Sequence, residues 1–152
     1  MSNNLEALET WAAPLLRKLE PAERGKLARS LAQQLRRNQQ KRVKAQANPD
    51  GSKYTPRKKR DLRGKKGRIR RKLEMFQKLS KPTYLKAKGD GSAISIGFAG
   101  RVARIARVHQ YGLKDRAERG APEVRYDQRE ILGFTETDID IIRDHLLSYL
   151  TA

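Results

Sequence analysis

Ala93-Ile94-Ser95-Ile96-Gly97-Phe98 opens the stretch whose reading decides the fold. It continues through Arg101-Val102-Ala103-Arg104-Ile105-Ala106-Arg107-Val108-His109-Gln110-Tyr111-Gly112-Leu113 and closes on Tyr126-Asp127-Gln128-Arg129-Glu130-Ile131-Leu132-Gly133-Phe134. Residues 83–88 and 93–98 alternate in polarity about Gly89-Asp90-Gly91, the signature of a β-hairpin with a short glycine-rich loop. Residues 101–111 place Val102, Ile105, Ala106 and His109 on one helical face, and Gly112 supplies the residue that ends such a helix. Glu123 to Tyr126 reads as a third, short strand. From Thr135 a last helix follows, with the threonine hydroxyl as cap and Glu136 and Asp138 at the positive end of the dipole. Ile139, Ile142, Leu146, Leu147 and Leu150 make its expected buried face.

Working outward, residues 4–19 carry Leu5, Leu8, Ala12, Leu15, Leu16 and Leu19 at helical spacing, interrupted at Pro14. Pro21 suits the first turn of a second helix, whose narrow stripe of Ala28, Leu31, Ala32, Leu35 and Val43 reaches about Ala47. Asn48-Pro49-Asp50-Gly51 signals a turn. From there to Gly67 the chain is basic and nearly free of apolar residues, which predicts a flexible or partner-ordered loop. Ile69, Leu73, Phe76 and Leu79 restore a helical pattern. The fold class is therefore α+β: N-terminal helices, a long basic loop, and a small antiparallel sheet (hairpin plus short strand) packed with a short helix and a C-terminal helix. The organisation expected is a helical region over 1–48, a basic loop over 49–67 and an α+β core over 68–152.

The charge is extreme and uneven. The 152 residues carry a net charge of +18 at pH 7. Residues 21–48 hold 8 basic and 1 acidic side chain, residues 49–72 hold 12 and 2, and residues 135–152 hold 1 and 4. A basic middle and an acidic last helix predict charge complementarity, within the chain or between copies of it, and an acidic partner. Hydrophobic residues make up only 37% and aromatics 6%, so the core is expected to be small and stability to lean on association. There is no cysteine, which excludes disulfides and thiolate metal sites. The first residues do not read as a signal peptide and no run approaches transmembrane length, so a soluble protein made in a cytoplasm is expected.

No catalytic constellation is legible. His109 and His145 are the only histidines and stand beside no nucleophile at a working spacing. His145 suits the negative end of the last helix, and His109 reads as a packing or interface residue. Asp138, Asp140 and Asp144 lack the loop and glycine spacing of a calcium site, and Gly64 to Gly67 lack the order of a phosphate-binding loop. No cofactor and no enzyme activity are expected. The run Arg57, Lys58, Lys59, Arg60, Arg63, Lys65, Lys66, Arg68, Arg70 and Arg71 is the candidate surface for DNA or an acidic partner. With only Tyr54 and Phe76 nearby for stacking, any DNA contact would be to the backbone and independent of sequence.

The order of these segments resembles the phage virion morphogenesis (tail completion protein S) family. The residues that carry the resemblance are Ile96-Gly97-Phe98, Arg101 to Ile105 with His109-Gln110-Tyr111-Gly112, and Arg129 to Phe134 followed by the acidic helix. Leu5-Glu6-Ala7-Leu8, Leu27 to Arg37 and the Asn48-Pro49-Asp50-Gly51-Ser52-Lys53-Tyr54 turn are similar too. One departure stands at Tyr126-Asp127-Gln128-Arg129-Glu130, where family members often show Pro-Ala-Arg; only Arg129 matches that arginine. The resemblance implies a non-enzymatic virion protein at the neck, made in the host cytoplasm, that finishes tails or joins them to heads. It also implies kinship with head–tail connector proteins that form rings, commonly six-fold, with connector and tail terminator proteins as neighbours and no membrane.

The expected subunit interface comprises Val102, Ile105, His109, Tyr111, Arg129, Ile131, Leu132 and Phe134. In a ring, the basic surface from residues 24–72 would meet the acidic helix of a neighbour, and lumen-facing basic groups would tolerate passing DNA. A small, basic, sequence-independent nucleic-acid-binding protein is the alternative reading, and a ribosomal-type protein leaves the acidic helix unexplained.

Overall fold

The computed structural model of the chain describes Ala7, Thr10, Ala13 and residues 20–58 and 74–151. In order, it contains α1 (Pro21–Lys44), β1 (Leu85–Gly89), β2 (Ile94–Phe98), α2 (Val102–Tyr111), β3 (Lys114–Arg116), β4 (Glu123–Arg125) and α3 (Glu136–Thr151). Ala7, Thr10 and Ala13 are helical, and the rest of the helix expected over residues 4–19 lies outside the described residues. The chain is α+β, and its described residues include two small sheets, β1–β2 and β3–β4, of two strands each.

Pro21 opens α1 where a missing N–H costs nothing, Glu23 lies in its first turn, and Lys41, Arg42 and Lys44 lie in its last. The helix stops at Lys44, short of the expected Ala47, because Gln46 turns left-handed at φ 57°. The Ala47 N–H then reaches back to the Arg42 carbonyl at 3.3 Å.

The structure corrects three expectations about the elements. Glu123–Arg125 does not extend the hairpin; it pairs antiparallel with β3, in the register Lys114↔Arg125, Asp115↔Val124, Arg116↔Glu123. The helical spacing of Phe76 and Leu79 belongs to turns: Phe76 stands at φ 66°, outside helical space, while both side chains point into the core. Ile69 and Leu73 lie outside the described residues. Residues 49–58 carry no helix or named strand and are mostly exposed; within them Tyr54 is buried and its N–H donates to the Gln46 carbonyl at 2.8 Å. On α3, Ile139, Leu146 and Leu147 are exposed, while Asp138 is buried and Ile142 is half-buried.

The chain divides into two compact units. One comprises the described residues of 1–35, 87–96 and 136–152. Its buried side chains include Ala28, Leu31, Ala32 and Leu35, the stripe read from the sequence. Gly89 lies so close to α1 that an added Cβ would stand 2.4 Å from the Ala28 carbonyl carbon. His145, read as a surface or capping residue, instead pairs through Nε2 with Gln34 Oε1 at 2.7 Å.

The other unit comprises residues 36–86 and 97–135, of which 59–73 are not described. Its core is Val43, Tyr54, Met75, Phe76, Leu79, Ala106 and Ile131, with Phe98 and Val102 packed against it. Burial of a side chain such as Ile131 contributes roughly 1.5–3 kcal/mol. Edge-to-face ring contacts run from Tyr54 to Phe76 (5.7 Å), Phe76 to His109 (4.8 Å) and His109 to Tyr126 (5.0 Å).

Candidate functional site

Residues 129–133 belong to no sheet, yet each of their backbone N–H groups is bonded, four of the five by side chains. Arg129 N–H donates to the His109 carbonyl at 2.8 Å and Glu130 N–H to Asn48 Oδ1 at 2.9 Å. Ile131 and Leu132 both donate to Gln110 Oε1, at 2.8 and 2.9 Å, and Gly133 donates to Gln39 Oε1 at 3.2 Å. The carbonyls are met in the same way. Arg42 donates to Glu130 O at 2.9 Å and to Ile131 O at 2.6 Å. Gln110 Nε2 donates to Leu132 O and Gln39 Nε2 to Gly133 O, each at 2.8 Å. The segment is thus clasped as a strand would be, with side-chain amides replacing a neighbouring backbone.

Gln46 repeats the device on a second segment: its Oε1 accepts from Met75 N–H at 2.8 Å and its Nε2 donates to Met75 O at 2.9 Å. Gln39 and Arg42 extend the α1 stripe at helical spacing from Leu35. That spacing is the sequence signal that marks them as inward-facing in spite of their polarity.

Burial divides the residues singled out for an interface. Ile131 is 1% exposed and Arg129 4%, both enclosed within their own unit. The Arg129 guanidinium donates to Thr55 O at 2.7 Å and to Pro56 O at 3.1 Å. Val102, His109 and Leu132 are half-buried. Ile105, Tyr111 and Phe134 are 48%, 63% and 57% exposed, and they are the apolar groups of this set open to solvent. An open groove of about 410 Å³ lies among Phe98, Ala106, Arg107, Gln110, Tyr111 and Leu132. Of the candidate basic residues, Arg57 and Lys58 are exposed; Lys59, Arg60, Arg63, Lys65, Lys66, Arg68, Arg70 and Arg71 lie outside the described residues.

Burial, with added repulsion from Arg129 and Arg57, lowers the His109 pKa from 6.5 to about 4, so the ring is neutral at pH 7. Its buried Nδ1 has no hydrogen-bond partner among the described residues, which fits a packing group better than a proton carrier. Burial raises the Tyr54 pKa, against the opposing charge of Arg42, so the phenol stays protonated and donates to Glu130 O at 3.1 Å. Among the described residues no group of three or more His, Asp or Glu side chains could hold a metal ion. No helix among them is long and apolar enough to cross a membrane. The arrangement is suited to holding a surface in shape, not to reacting.

The comparisons with known proteins agree with a structural role. The chain matches the phage virion morphogenesis family over residues 3–151 and belongs to it. It is 36% identical over 149 residues to Tail completion protein S of Escherichia phage P2, an alignment covering 97% of this chain and 98% of that one. No solved structure matches the chain significantly. Membership identifies a structural protein of virion morphogenesis, not an enzyme.

Proposed function

We propose that this chain completes the phage tail and joins it to the head, as one subunit of a ring at the neck. The observation that carries the reading is the end-to-end likeness to a tail completion protein, at 36% identity over 97% of the chain. Two further features support it. The polar network around residues 129–133 is spent on holding backbone, and Ile105, Tyr111 and Phe134 are exposed on the same unit. A ring subunit leaves such groups for its neighbours, and six-fold closure is the arrangement that kinship with connector proteins favours. Head–tail connector and tail terminator proteins are the expected neighbours. A basic face that includes Arg57 and Lys58 would front DNA in the lumen or an acidic protein surface.

The experiment is a phage carrying a stop codon in this gene, with lysates imaged by electron microscopy. Filled heads and unattached tails should accumulate, and supplying the protein should restore infectious particles. Intact particles formed without the protein would overturn the reading. The net charge of +18 favours one other reading, sequence-independent nucleic-acid binding. Deleting residues 57–72 separates the two: loss of DNA affinity with tails still joined supports binding as the primary role, whereas failed joining supports assembly.

A further inference from the structure

The N-terminal half of α2 and the β3–β4 hairpin enclose an open cleft of about 490 Å³ that the assembly reading leaves unassigned. Arg101, Arg104, Arg116 and Arg119 line it, against two carboxylates, Asp115 and Glu118, with Ile105 exposed among them. Arg104 Nη2 is already engaged by Asp115 Oδ1 at 2.5 Å, which leaves three arginines and one carboxylate as the outward set. Ile105 stands exposed among these charges, and a phosphate backbone would leave it packed against a uniformly charged chain. A segment with carboxylates beside apolar side chains fits the three outward arginines and Ile105 together.

The described residues contain one such segment. On α3, Glu136, Asp140 and Asp144 follow one another at four-residue spacing and form an exposed acidic stripe. Beside that stripe, at the helical angles between 280° and 20° that a 100° step assigns, lie Ile139, Leu146 and Leu147, all exposed. Arg143, paired with Asp140 at 3.6 Å, is the one cation on this face. The opposite face, with Asp138, Ile142 and His145, is the side turned inward.

We infer that the arginine cleft is the docking site for the acidic–apolar face of α3 from a second copy of the chain. This rests on the ring reading and gives that ring its contact: two different surfaces, one on each unit, which is what a head-to-tail cyclic assembly requires. Ile105 packs on the leucine and isoleucine stripe, and the free arginines meet Glu136, Asp140 and Asp144. The charge pairs select the partner and register more than they add affinity, and they weaken as salt rises.

The test is sedimentation velocity on the full-length protein in low salt, with circular dichroism to establish that each variant is folded. Asp140→Arg/Asp144→Arg should weaken self-association at least tenfold, and Arg101→Glu/Arg119→Glu should do the same. An equimolar mixture of the two variants should recover assembly, because each reversed surface then faces its complement. Wild-type assembly by either variant alone overturns the inference while leaving the ring reading intact. Loss in both variants without recovery on mixing also overturns it. Weakened binding of a DNA duplex by the cleft variant, with self-association unchanged, overturns it in favour of a nucleic-acid site. A wild-type chain that stays monomeric at every concentration, while still joining heads to tails, overturns the ring reading and the inference together.

Discussion

Gln110 holds three backbone groups at once, the N–H of Ile131, the N–H of Leu132 and the carbonyl of Leu132. Cutting it back to alanine strands those groups in a largely enclosed place, where each unpaired group costs about 1–3 kcal/mol before water re-enters. Gln110→Ala should therefore lose about 2–4 kcal/mol in urea unfolding, far more than a typical surface substitution. His109 gives a residue-scale prediction of a different kind. Its folded pKa of about 4 lies below the ordinary 6.5, so the folded chain resists protonation. The stability that the neutral ring contributes is complete above pH 6.5 and is lost as pH falls from 6.5 through about 4. His109→Phe keeps a ring between Phe76 and Tyr126 and should flatten the melting temperature across that window; an unchanged slope would exclude His109 as its source.

Among the elements, the pairing of β1 with α1 is the least forgiving. An added methyl at Gly89 would meet the Ala28 carbonyl carbon at 2.4 Å and the carbonyl oxygen at 2.6 Å, both rigid backbone. Gly89→Ala should cost about 1–3 kcal/mol by forcing strand and helix apart, read as a lowered melting temperature. Gly97→Ala, with nothing within 4 Å of its added Cβ, is the control expected to change little.

The sequence identified the elements better than it identified their insides. The α1 stripe and the hairpin about Asp90 were legible because period and turn chemistry are local. The burial side of α3 was not, since apolar residues from Ile141 to Leu147 run most of the way round the helix and only tertiary packing chooses between the neighbouring Ile142 and Ile139. Phe76 misled because a turn that points two side chains into one core reproduces helical spacing. The clasp on 129–133 was hidden because glutamines read as surface residues, and their partners lie far along the chain. Of the interface residues, Ile105 and Ile131 look alike in sequence; only the fold leaves one open and encloses the other.

At the scale of the whole molecule, the clasp joins the two ends of the second unit's chain. Gln39 reaches Gly133 across 94 residues, and Arg42 reaches Ile131 across 89. Contacts this distant form late, after the cost of closing the intervening chain has been met. A version ending after Asp127 should leave α1 open to proteolysis around Arg42, whereas the full chain should resist cleavage there. The consequence reaches into the infected cell. While the ribosome is still translating, Gln39 and Arg42 have nothing to hold, and the surface bearing Tyr111 and Ile105 has no backing. Only a chain translated through Gly133 can close the clasp, so a product terminated earlier is expected to lack that surface and to fail in assembly.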